Sequence, residues 1–168
     1  MADIQIKSKS ANQTKKIAET LVENIFKENK DRKTALILAM EGDLGGGKTT
    51  FLQGVAKALG IKERVLSPTF LIMKKFEIPC TGGKNKEEIL FKNFFHFDCY
   101  RISLQKELFD LGWKNLISDP KNIIAIEWAE RIKNIPKNAI KIKFDFINEN
   151  SRLITFFNYA DRKKINNN

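Results

Sequence analysis

The stretch TALILAMEGDLGGGKTTFLQGVAKALG, residues 34–60, passes from a continuous apolar run through a glycine-rich turn into a helical pattern. Residues 34–40 are apolar without alternation, as a strand buried on both faces requires. Within 49–59, Phe51, Leu52, Val55 and Leu59 share one helical face, and Gly60 supplies a stop. Between strand and helix, Gly42–Thr49 fits G-x-x-x-x-G-K-[ST] at every fixed position. Glycines let successive backbone N–H groups turn toward anionic oxygens, and the helix start adds its positive dipole end. Lys48 is expected to reach the β and γ phosphates, and the Thr49 hydroxyl to ligate magnesium. Asp43, Leu44, Gly45, Gly46, Gly47 and Thr50 complete the expected nucleotide-binding stretch. The loop reads phosphate, so it leaves ATP and GTP both open.

A phosphate cradle also needs carboxylates near the metal, and two apolar runs end in one. Glu127 closes NIIAIE (122–127) and Asp98 closes FFHFD (94–98). Either can hold magnesium, directly or through water, or orient an attacking water. Lys48, Asp98 and Glu127 are therefore the expected catalytic residues, and Thr49, Asp98 and Glu127 the expected metal set. In Ser67–Pro68–Thr69–Phe70 a proline fixes an extended turn beside two hydroxyls, a pattern suited to sensing a γ-phosphate. His96, the chain's single histidine, lies in a phenylalanine-rich strand without a nucleophile elbow and reads as structural. Phe94, Phe95 and Phe97 read as core.

Outward from this centre, residues 10–27 form an amphipathic helix, with Ser10 and Gln13 spaced as a capping box and Ile17, Leu21 and Ile25 on its apolar stripe. Runs at 70–78 and 89–98 suggest an antiparallel hairpin around the charged, turn-rich segment 79–88. A short helix is expected at 105–113. The alternation in 139–147, the turn at 148–151 and the run 152–159 predict a final hairpin. The expected fold is a single-domain α/β P-loop NTPase, a mixed parallel and antiparallel sheet flanked by helices. The domain spans residues 1–160, and 161–168 form a polar tail.

Composition narrows the class. Of 168 residues, 42% are hydrophobic and 30% charged, a globular balance. No apolar run approaches a membrane span and the N-terminus lacks a signal-peptide core, so a cytoplasmic protein is expected. Cys80 and Cys99 with one histidine do not match a zinc site, and both read as plain thiols. The net charge of +10 admits nucleic acid or an acidic protein as partner, although the lysines are scattered.

The order of the motifs is more specific than any one of them. GDLGGGKTTFLQG (42–54), SPTF (67–70), HFDCYR (96–101), ELFDLG (107–112) and IEWAE (126–130) together resemble the TsaE family, bacterial ATPases required for threonylcarbamoyladenosine modification of tRNA. The resemblance runs from the N-terminal helix to about residue 152. It implies a magnesium-dependent, cytoplasmic ATPase that works with the TsaB–TsaD heterodimer on position 37 of tRNAs reading ANN codons. Contact with tRNA would come through that complex. Lys48 and Thr49 would bind phosphate and magnesium, Glu127 would ligate the metal, and Asp98 is the second acidic position. Trp128 would lie beside the site, and Thr69 belongs to the switch-like SPTF. Thr14 and Arg152 correspond to positions that touch the nucleotide. Gly46 stands where the family usually has alanine, and the segment 79–88 is longer than usual.

Three other functions fit parts of the pattern. A small-molecule or nucleoside kinase shares the P-loop but needs an arginine-rich lid, and here only Arg101 and Arg131 neighbour the site motifs. A small GTPase needs a D-x-x-G and an N-K-x-D, to which Asn85–Glu88 comes close in the wrong context. A non-enzymatic RNA binder rests on charge alone.

Overall fold

The computed structural model describes residues 3–28, 32–67, 71–79, 91–102 and 106–157. Seven strands form one sheet in the order β1-β7-β6-β2-β5-β4-β3. These are β1 (Ile4–Ser8), β2 (Leu36–Gly42), β3 (Met73–Glu77), β4 (Asn93–Asp98), β5 (Asn122–Glu127), β6 (Ile140–Phe146) and β7 (Arg152–Phe157). The helices are α1 (Ala11–Glu28), α2 (Lys48–Ala58), α3 (Lys106–Asp110) and α4 (Trp113–Ser118). The four central strands run parallel, with β2 between β5 and β6 and β4 outside β5. Antiparallel pairs close both margins: β7 on β6, β1 on β7, and β3 on β4. This is the mixed sheet the sequence implies.

Burial follows the parallel arrangement. β5 is buried along its whole length and β2 over its first five residues, because helices cover both faces. Ile17, Leu21 and Ile25 of α1 and Phe51, Leu52 and Val55 of α2 meet Leu38, Ala125, Ile142 and Phe156 on one face. Leu108 of α3 and Trp113 of α4 join Ile37, Ala39, Phe97 and Ile126 on the other. β6 alternates buried and exposed residues, its Lys141 and Lys143 turned outward. Phe94, Phe95 and Phe97 are all core.

Local chemistry sets the helix ends. The Ser10 hydroxyl accepts the Gln13 N–H at 3.1 Å, while the Gln13 side chain accepts from Lys9 rather than Ser10, at 2.8 Å. The expected capping box is thus displaced by one residue on its return bond. At the end of α2, the N–H of Ile61 bonds the carbonyl of Ala56 and that of Gly60 the carbonyl of Lys57, a Schellman closure.

One element is added and one expectation changes. β1 stands at residues to which the sequence pattern assigns no element. The single helix at 105–113 is instead two, separated at Gly112, whose φ of 78° interrupts the right-handed run before Trp113. The hairpin margin at 89–90, the segment 80–88, the extension of the last strand beyond 157 and the tail 161–168 lie outside the described residues.

Candidate functional site

The site forms where parallel strands β2, β4 and β5 end together. Register pairs Met40 with Glu127 and Asp98 with Glu127, so the two carboxylates leave adjacent strands at the same level. The loop after β2 then turns back into α2. Gly47 caps that helix at φ 97°, a left-handed conformation that residues with a Cβ seldom adopt. A Cβ on Gly46 would sit 2.8 Å from the Asp43 carbonyl oxygen, so alanine there requires the loop backbone to shift.

Lys48 is 4% exposed. Its ammonium donates to the carbonyls of Gly42 at 2.5 Å and Asp43 at 2.8 Å, and lies 3.9 Å from the centre of the Trp128 ring. Burial pushes its pKa below the usual lysine value, against the opposing pull of Glu127, Glu130, Asp43 and Asp98. The charge is thus held ready on weak acceptors, where phosphate oxygens are stronger partners. Trp128 takes φ 62°, uncommon for a bulky residue. Its ring also packs on Tyr100 at 4.9 Å, and the Arg131 guanidinium lies over both rings.

Glu127 is the centre of the polar contacts. The Thr49 hydroxyl lies 2.9 Å from its Oε1 and 3.0 Å from its Oε2, and His96 Nε2 lies 2.9 Å from Oε1. Asp98 accepts the Tyr100 N–H at 3.0 Å and a bond from the Ser67 hydroxyl. Arg152 donates to the Gly45 carbonyl through Nε and Nη2, and to the carbonyls of Asn148, Glu149 and Ser151 through Nη1. It ties the final hairpin turn to the phosphate loop.

A cavity of about 570 Å³ opens over these groups. Leu44, Gly45, Gly46, Gly47, Lys48, Thr49, Thr50, Asp98, Glu127, Trp128 and Arg152 line it, so one space gathers most of the residues singled out from sequence. Asp43 contributes its backbone to Lys48 and does not line the cavity. Thr14 is also absent from the lining: it is 3% exposed, with its hydroxyl 2.7 Å from that of Ser8. Thr69 lies outside the described residues.

The donor set has a definite chemical character. Thr49, Asp98 and Glu127 offer hard oxygens, and no cluster of three or more His, Cys, Asp or Glu side chains suited to a metal occurs among the described residues. Magnesium is commonly held by one or two carboxylates together with nucleotide phosphates and water, so these residues fit it. They do not fit a zinc cage.

A family model described as threonylcarbamoyl adenosine biosynthesis protein TsaE matches residues 8–154. The chain belongs to the TsaE family. It is 35% identical over 127 residues to the tRNA threonylcarbamoyladenosine biosynthesis protein TsaE of Nostoc sp., covering 73% of this chain and 71% of that protein. The TsaE protein of Bacillus subtilis is 34% identical over 127 residues, covering 75% and 72%. Among solved structures, Bacillus subtilis YdiB superposes with a TM-score of 0.66 at 28% identity, over 92% of this chain and 84% of the other. The TsaE family takes part in tRNA threonylcarbamoyladenosine biosynthesis.

In this TsaE-family chain the structure adds residues that sequence reading passed over. His96 reads as structural from the sequence; it is buried, and it touches Glu127. Tyr100 and Glu107 line the cavity. The signal for His96 and Tyr100 was their place on either side of Asp98 in HFDCYR.

Proposed function

We propose that this chain is a magnesium-dependent ATPase accessory to threonylcarbamoyladenosine formation at position 37 of tRNAs reading ANN codons. It acts in the cytoplasm with the TsaB–TsaD heterodimer, and meets tRNA through that complex. One observation carries the reading: Lys48, Thr49 and Glu127 converge at the mouth of the parallel sheet, with Thr49 within 3.0 Å of both Glu127 oxygens. Family membership, rather than the loop, separates this role from a small-molecule kinase and favours adenine over guanine.

In the proposed reaction, loop N–H groups and Lys48 bind the phosphates, and Lys48 exchanges two carbonyl acceptors for charged oxygens. Bound magnesium would neutralise charge developing on the β and γ phosphates. Thr49 and Glu127 would hold it, with Asp98 placed to orient the attacking water or support the metal shell. Trp128 covers Lys48 and limits water around its charge, which strengthens its hold on phosphate. Arg152 is turned toward the Gly45 carbonyl, and among the described residues no other arginine lining the cavity hydrogen-bonds the loop. Hydrolysis by the chain alone is therefore expected to be slow, because no arginine finger stands in place among the described residues.

The test is ATP hydrolysis by the purified chain, alone and with TsaB, TsaD and tRNA. The complex is expected to raise the rate, and Lys48→Ala or Glu127→Ala to abolish that rise. A rapid turnover indifferent to those partners would overturn the accessory role.

A further inference from the structure

We propose that His96 is a positioning residue for Glu127: its Nε2–H holds carboxylate oxygen Oε1 and leaves Oε2 as the oxygen available to the nucleotide's metal. The proposal rests on the nucleotide–magnesium reading of the cavity and deepens it.

The sheet dictates the contact. β4 and β5 run parallel with His96 opposite Ala125, so alternation puts His96 and Glu127 on the same face as diagonal neighbours. Nε2 and Oε1 lie 2.9 Å apart, with the His96 side chain fully buried and that of Glu127 only 5% exposed. An ionised carboxylate can only accept, so Nε2 carries the proton. The other ring nitrogen, Nδ1, is buried without a hydrogen-bond partner.

That unpartnered nitrogen separates a positioning role from packing. Phe94, two residues earlier on the same face, fills its place with an apolar ring. An imidazole at 96 leaves one nitrogen unsatisfied in the interior, which is unfavourable. Orientation of the carboxylate is the compensating effect, as a partner behind a metal ligand supplies. The two Glu127 oxygens are held unequally as a result. Oε1 receives both His96 and Thr49, whereas Oε2 receives only the hydroxyl of Thr49, which is free to rotate toward another acceptor.

The test measures binding rather than turnover. Affinity for a non-hydrolysable ATP analogue is determined calorimetrically in EDTA and in magnesium chloride, for wild type, His96→Leu, His96→Gln and His96→Asn. His96→Leu keeps the volume and removes the donor. It should leave affinity in EDTA unchanged and reduce the magnesium-dependent gain about tenfold. Glutamine, whose amide nitrogen reaches about as far as Nε2, should restore the gain; asparagine, which is shorter, should not. A full gain in His96→Leu would overturn the proposal, as would equal losses with and without magnesium. If His96→Leu shows no cooperative melt, the Gln and Asn variants decide: equal gains in these two overturn it. A wild-type chain whose affinity ignores magnesium would overturn the underlying site reading before any variant is compared.

Discussion

Cys99 lies one residue beyond Asp98, fully buried, with its N–H on the Glu127 carbonyl at 3.1 Å. Burial, then the negative charges of Asp98, Glu127 and Glu130, push its thiol up to about 12. A thiol is nucleophilic only as thiolate, so Cys99 is inert in the folded protein at neutral pH. In a Cys80→Ser background, its reaction with an aromatic disulfide reagent at pH 8 should run at least about a thousandfold slower than free cysteine. Unfolding in guanidinium should release the full rate. Rapid labelling of the folded chain would show that the β4 end opens far more readily than its packing indicates. The same neighbourhood acts oppositely on Lys48, where burial disfavours the charge that phosphate binding needs. The charged residue is retained at a cost in stability, as is common where function sets the side chain.

At the scale of elements, the crossing of α1 over α2 depends on Gly54. A Cβ there would stand 2.4 Å from the Lys15 carbonyl oxygen and 2.8 Å from the Ala18 Cβ. Alanine would gain about 1 kcal/mol of helix propensity, but forcing two backbones apart costs about 1–3 kcal/mol or more. Because the clash is with backbone, the cost should fall at the upper end of that range and Gly54→Ala should destabilise by about 1–2 kcal/mol in urea unfolding. A stabilised variant would mean the helices separate freely. The same crossing carries an ion pair, Glu19 to Lys57 at 2.8 Å, with Lys16 at 3.5 Å. The Lys57 bond lowers the Glu19 pKa below 4.5. A depressed carboxylate pKa contributes stability above the unfolded value, and the contribution disappears as pH falls through the folded one. Glu19→Gln should therefore cost about 0.5 kcal/mol at neutral pH and less near pH 3, with the cost reduced by salt. An equal loss at both pH values would assign the effect to packing.

These elements also show what sequence makes legible. The buried run at 34–40, the glycine turn and the stripe of α2 are local patterns, and each stands where expected. β1 was not read because IQIKS is short and becomes a strand only by pairing with β7, almost the whole chain away. The break at Gly112 is a single conformational choice inside an otherwise helical pattern. His96 reads as structural from sequence and is buried; what sequence does not show is its partner, for a non-local reason. Its contact with Glu127 follows from the register of two parallel strands, and nothing in either strand encodes the register between them. The loop residues lining the cavity were legible because their chemistry depends on contiguous spacing. Thr14, in contrast, hydrogen-bonds Ser8 rather than lining the cavity.

Across the whole molecule, the charge is unbalanced: 30 lysines and arginines against 20 acidic residues. It is also spread over the fold rather than gathered at one helix, with Lys141 and Lys143 exposed on β6 and Arg101 and Arg152 at the cavity. Such a field accelerates encounter with an acidic protein surface or with tRNA held by one, while apolar contacts set how long the complex lasts. Exposed Leu44 and Leu71 line the cavity and can supply those contacts. With about two charge contacts, affinity for the proposed TsaB–TsaD–tRNA assembly should fall about tenfold between about 50 and 200 mM salt. Surface plasmon resonance across that range gives the slope. The loss should appear mainly in the association rate, because screening acts on approach more than on a desolvated contact. Salt-independent affinity would place the docking energy on the leucines and leave the net charge without a part in recognition. In that case Leu71→Ser should weaken the assembly more than reversal of any single surface lysine.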